Sequence, residues 1–151
     1  MSTHREIRNQ IVADLNTIAA IGNVHAYERY STRQSDLQNL YLYNGQLRGW
    51  YVRRVRRIER SPDLGRYTVD QPWRIRGFMA LDDANQSELV FDDLVDAVVD
   101  TFRADDTLNS LIDSCIIENQ AGAQVEDAGP VMFAGVLCHS ARLLLTTRHY
   151  I

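Results

Sequence analysis

From Trp73 to Leu81 the side chains alternate. Trp73, Ile75, Gly77, Met79 and Leu81 fall on one face, and Arg74, Arg76, Phe78 and Ala80 on the other, which predicts a strand. The polar run Asp82-Asp83-Ala84-Asn85-Gln86 ends the alternation. Ser87 then stands where a helix cap accepts the first free N–H groups. Phe91, Leu94, Val95, Val98 and Phe102 recur at helical spacing and predict an amphipathic helix over about 87–103. A strand feeding a one-sided helix requires a core between them.

The same reading extends to both sides. Thr3 and Glu6 have the spacing of a capping box, and Ile7, Ile11, Leu15 and Ile18 share a face, so a surface helix is expected over about 3–20, ended at Gly22-Asn23. Val24–Tyr30 is rich in aromatics and reads as a short strand, and Ser31–Asp36 as a loop. Leu37–Tyr43 is expected to pair with Leu47–Arg60 through a two-residue turn at Asn44-Gly45, because both residues tolerate positive φ. The apolar phase of the second strand slips after Val52, which calls for a bulge near Arg53-Arg54. Ser61–Gly65 has turn residues, and Tyr67–Gln71 leads through Pro72 into the Trp73 strand.

Beyond the second helix, Leu108–Gln120 fits either a helical turn or two, or a strand starting at Cys115. Residues 121–129 are polar and lack a period, and are expected to be a flexible loop that reaches a partner. Val131–Thr147 is apolar on both faces and reads as one long central strand. These elements define a single α+β domain over 1–151. Four to six strands, those before the second helix lying within 24–81, form an antiparallel or mixed sheet with two main helices packed on one face.

Composition adds bounds. A chain of 151 residues, 45% hydrophobic, supports one core. It holds no apolar run of the roughly 18 residues that a membrane helix needs. Met1–Arg8 is charged rather than apolar, so no signal peptide and a cytoplasm-like compartment are expected. Cys115 and Cys138 read as two reduced, partly buried thiols. The net charge of −4 hides a segregation. All sixteen basic residues are arginine; nine lie between Arg48 and Arg76, while thirteen acids against Arg103 alone lie between Asp82 and Asp127.

No catalytic signature is present: no H-E-x-x-H, G-x-x-x-x-G-K, G-x-S-x-G or C-x-x-C. Neighbours on a strand, His139 and Ser140 point to opposite faces, so they read as structural. Asp82 and Asp83, with Asp92 and Asp93, suit the helix dipole better than a metal. No enzyme, cofactor or metal is expected. Arg53, Arg54, Arg56, Arg57 and Arg60 beside Trp50 and Tyr51 form a ribbon able to bind phosphates and stack bases, although the chain is acidic overall. Glu88, Asp92, Asp96 and Asp100 are each four apart and line one helix edge, where like charges cost roughly 0.2–0.5 kcal/mol per pair. Arg53, Arg54, Arg56 and Arg57 facing Asp92, Asp96 and Asp100 of a second copy would offset that cost.

Composition and spacing describe a scaffold without visible chemistry. The run W-R-I-R-G-F-M-A-L-D-D-A-N-Q-S-E-L-V-F-D-D-L-V-D-A-V-V-D, with the Arg-rich strand before it and A-G-P-V-M-F-A-G-V-L-C-H-S-A-R-L-L-L-T-T after it, resembles the tail terminator (tail completion) proteins of long-tailed bacteriophages. The similarity is one of architecture, size and order of elements, over roughly Glu6 to Thr147. It implies a structural virion protein: a ring, usually of six copies, that caps the tail tube and joins the tail to the head connector at the tail–neck junction. The implied partners are further copies of the chain, the tail tube protein, the connector or neck protein, and genomic DNA passing through the lumen without sequence-specific binding. Assembly in the host cytoplasm follows, with no membrane. The alternatives are a neighbouring connector in the same stack, an Arg-ribbon nucleic-acid-binding module, and a small enzyme.

Overall fold

A computed structural model describes residues 3–151. The chain is α+β, with a mixed, mainly antiparallel seven-stranded sheet and three α-helices among the described residues. In chain order the elements are α1 (His4–Asn16), β1 (Asn23–His25), α2 (Gln34–Leu40), β2 (Leu42–Tyr43), β3 (Gln46–Arg54), β4 (Ile58–Asp63) and β5 (Arg66–Ala80). A 3₁₀ turn (Asp83–Asn85) leads into α3 (Ser87–Ala104), followed by β6 (Ile116–Ile117), β7 (Gln120–Ala121), β8 (Ala123–Phe133) and β9 (Val136–Tyr150). The main path of the sheet is β1-β3-β5-β9-β8; β2 pairs with β3, β4 with β5, and β6 with β7 in a separate two-stranded sheet.

Local signals account for much of this. Thr3 Oγ1 accepts from the Glu6 N–H and Glu6 Oε2 accepts from the Thr3 N–H, so the capping box starts α1 as its spacing predicts. Asn44 and Gly45 have φ of 50° and 80° and join Tyr43 to Gln46, the expected two-residue turn. In place of the expected bulge near Arg53-Arg54, regular pairing stops after Arg54, and residues 55–57 separate β3 from β4 with the Val55 N–H still bonded to β5. That gap explains how Pro72 is tolerated inside β5. Its carbonyl accepts from the Val55 N–H, so its missing N–H would point to the same side, where the ladder is interrupted.

Because β5 and β9 keep an unbroken register from Thr68↔Tyr150 to Ala80↔Cys138, alternation assigns each residue a face. Trp50, Val52, Trp73, Ile75, Met79, Ala141, Leu143 and Leu145 face α1 and α3, meeting Ile7, Ile11, Leu15, Phe91, Leu94, Val95, Val98 and Phe102. Space here is tight: a Cβ on Gly77 would lie 2.5 Å from the Trp50 ring. The other face is covered only at one end. There α2 lays Leu37 and Leu40 over Tyr41, Leu47, Phe78, Phe133 and Cys138.

Four expectations are corrected. Residues 31–43 contain a helix, α2, rather than a loop followed by a strand; Leu37, Leu40 and Tyr41 have helical spacing, but seven residues are too few to display a period. Of Val24–Tyr30 only Val24 and His25 belong to a strand, β1, which pairs parallel with β3. Residues 121–129 are not a free loop, since most of them belong to β8. Val131–Thr147 is not one strand but the end of β8, a turn at Ala134-Gly135 and most of β9, with Phe133 opposite Val136.

Ser87 also departs from its expected role. Gln86 occupies the cap position, and the Ser87 hydroxyl instead accepts from the Asp82 N–H at 2.9 Å and pairs with His139 Nε2 at 2.8 Å.

Candidate functional site

The uncovered part of the sheet brings together a group of charges from three strands. Arg53 on β3, Arg74 and Arg76 on β5 and Arg142 on β9 line a depression of about 340 Å³ together with Glu28, Tyr51 and Val55. The register forces like charges together: Arg53 is directly opposite Arg74, and Arg76 is directly opposite Arg142. Such pairs are destabilising unless offset.

Three carboxylates offset them. Arg53 donates to Glu28 at 3.0 Å, Arg74 pairs with Glu126 at 2.8 Å, and Arg142 Nε donates to Asp127 at 3.0 Å. The last two acids are adjacent in sequence and yet point to one face. A bulge in β8 between Val125 and Asp127 makes this possible, because two residues there oppose one on β9. The hydrogen bond from Arg142 holds the Asp127 carboxyl below its ordinary pKa. Arg76 makes no ion pair among the described residues. Its guanidinium lies 5.0 Å from the Phe78 ring centroid, and its buried Nε has no hydrogen-bond partner.

On the opposite side of the molecule α3 turns its core stripe inward and its acids outward. Glu88, Asp92, Asp93, Asp96 and Asp100 are exposed, with Leu89 57% exposed among them. Asp100 pairs with Arg103 at 2.8 Å.

The structure splits the expected arginine ribbon. Arg53 faces the open side, whereas Arg54 lies on the helix-covered side and donates to Gln71. Arg56 and Arg57 are exposed in the gap between β3 and β4, and Arg60 reaches Asp70 at 2.8 Å. Of the expected basic residues only Arg53 joins the convergent cluster. Arg74 and Arg76 were placed on one face by alternation, but their meeting with Arg142 depends on a pairing 66 or more residues apart that no local pattern reports. Asp92, Asp96 and Asp100 do share one exposed edge.

The remaining reactive groups are committed internally. Ser87 is buried and bound to both Asp82 and His139, whose ring stacks on Phe91. Cys115 and Cys138 are buried free thiols, and burial pushes their pKa values up to about 12 and about 11. Among the described residues no group of three or more His, Cys, Asp or Glu is placed to hold a metal ion, and no helix is long and apolar enough to cross a membrane. No protein-family model matches the chain, and a search of curated proteins gives no match.

Proposed function

We propose that this chain is a structural subunit that closes into a ring with copies of itself, serving as a tail terminator at the tail–neck junction of a phage virion. The observation that carries the reading is the opposed charge on the two sides of one subunit. Arginines gather on the open sheet face, and carboxylates line the outer edge of α3. A closed ring of identical subunits needs two unlike, complementary patches on each copy, and this arrangement supplies them. The resemblance in element order to tail terminators supports the particular place in the virion. The tail tube and the connector are the further partners in this reading, with DNA passing through the lumen.

The test is a mass and an image of the purified protein. Light scattering and negative-stain microscopy are expected to give one discrete multimer, about six copies, with a central hole. A monomer at all concentrations that binds duplex DNA with a steep salt dependence would instead identify a nucleic-acid module.

A further inference from the structure

We infer that the open sheet face is the docking surface for α3 of a second copy, with Arg76 as the residue that receives a carboxylate from it; this rests on the ring reading above. Among the described residues the four arginines of the depression have three carboxylate partners. Arg53, Arg74 and Arg142 each have a carboxylate, whereas Arg76 has none and leaves a buried Nε without a partner. A guanidinium stacked on Phe78 and opposed across the strands by Arg142 is held in place but not neutralised.

The complementary surface lies on the same chain. Asp92 and Asp96 project from α3 one turn apart, with no ion pair of their own among the described residues. Spacing matches as well as sign. Carboxylates four residues apart on a helix are about 6 Å apart along its axis, and arginines two apart on a strand are about 6.6 Å apart. A neighbour's α3 lying along β5 therefore sets one acid over Arg76 and the next near Arg74. Each surface also carries an exposed aliphatic beside its charges: Val55 at the rim of the depression and Leu89 on the acidic edge. Intramolecular contact is impossible, because the two surfaces lie on opposite sides of the sheet.

The experiment is a charge exchange read by light scattering and sedimentation, with circular dichroism to confirm that each variant is folded. Asp96→Arg changes an exposed helix position and Arg76→Glu changes a position beside Arg142, so both chains fold. Each single variant is expected to weaken association at least tenfold, and the chain carrying both is expected to recover to within about threefold of wild type. If the single variants assemble like wild type, the contact is wrong while the ring reading stands. A wild-type chain that stays monomeric throughout overturns the ring reading and this contact with it. If Arg76→Glu abolishes and Asp96→Arg tightens binding to a duplex DNA probe, with no multimer formed, the face is a phosphate site and the proposal fails.

Discussion

The two faces of the sheet share a backbone and differ in almost everything else. On β3, β5 and β9 the residues that point to α1 and α3 are Trp50, Val52, Trp73, Ile75, Leu143 and Leu145, each fully buried. One residue along each strand stand Tyr51, Arg53, Arg74, Arg76 and Arg142. The first set is committed to holding the subunit together by apolar burial, which is non-directional and large. The second is held in position by that same backbone while its charges are matched less completely. A period of two thus lets stability and recognition be altered separately on one strand. Substitutions can test that separation, beginning where the loss is greatest.

Trp50→Ala strikes the covered face at its most crowded point. Trp50 is fully buried, stacks on Phe91 with ring centroids 5.9 Å apart, and donates from Nε1 to the Ile21 carbonyl at 3.1 Å. Truncation leaves a cavity and an unsatisfied carbonyl, and should cost about 3–5 kcal/mol in a urea titration. The same cost at Arg53, Arg74, Arg76 or Arg142, which line the depression, would contradict the division of labour between the faces.

Two buried carboxylates sharpen the comparison. Asp70 lies on the open-face side of β5 with Arg148, which donates at 2.7 and 2.9 Å, and with Arg60. The hydrogen bond from Arg148 lowers its pKa from 3.8 despite burial. Stability from a lowered carboxyl is present above the unfolded value and is lost as pH falls through the folded one. Asp70→Asn should therefore cost about 1–3 kcal/mol at pH 7, since it leaves partly exposed arginines rather than fully buried ones. The deficit should shrink below pH 4. Equal deficits at pH 7 and pH 3 would refute the assignment.

Asp14, in α1 on the covered side, has the opposite surroundings. It is 8% exposed, with Gln10 donating to one oxygen, Asp105 beside it and no ion pair among the described residues. Burial, then the hydrogen bond and charge of Asp105, raise its pKa to about 6. A raised carboxyl favours folding when protonated, so this contribution is full below the unfolded value of 3.8 and disappears as pH rises through 6. Asp14→Asn should stabilise the protein by about 1–2 kcal/mol at pH 8 and leave it unchanged at pH 4. Thermal melts at the two pH values measure the difference. A loss of stability at pH 8 would mean that the carboxylate is needed.

How legible each region was follows from the range of the interaction that forms it. The capping box of α1, the Asn44-Gly45 turn, the alternation over Trp73–Ala80 and the stripe of α3 are set by residues within a few positions of each other, and all were visible in the chain. β8 was hidden by its bulge. Val125, Glu126 and Asp127 lose the period of two there, so a strand looked like a polar loop. The β8–β9 turn was hidden by Ala134, which adopts φ of 51° although alanine does not advertise a turn. The candidate site was half legible. Arg74 and Arg76 share a face by alternation, but Arg142, Glu126 and Asp127 reach them through pairing of distant strands. The acidic edge of α3 needed only helical spacing.

The smallest expected effect concerns Arg76, and it bears on the comparison most directly. If the open face serves recognition, a residue there that has no ion pair among the described residues should contribute little to the subunit's own stability. Arg76→Gln removes a charge directly opposite Arg142, which relieves repulsion, and gives up the cation–π contact with Phe78 at 5.0 Å. Both terms are roughly 0.5–1 kcal/mol and opposite in sign. The net change in folding free energy should therefore lie within about 0.5 kcal/mol of zero, measured by urea unfolding at a concentration where the protein is monomeric. Raised salt should narrow the difference further, because repulsion between partly exposed charges is screened. A loss above about 2 kcal/mol would show Arg76 to be part of the fold. The open face would then be a second structural surface rather than one left for a partner.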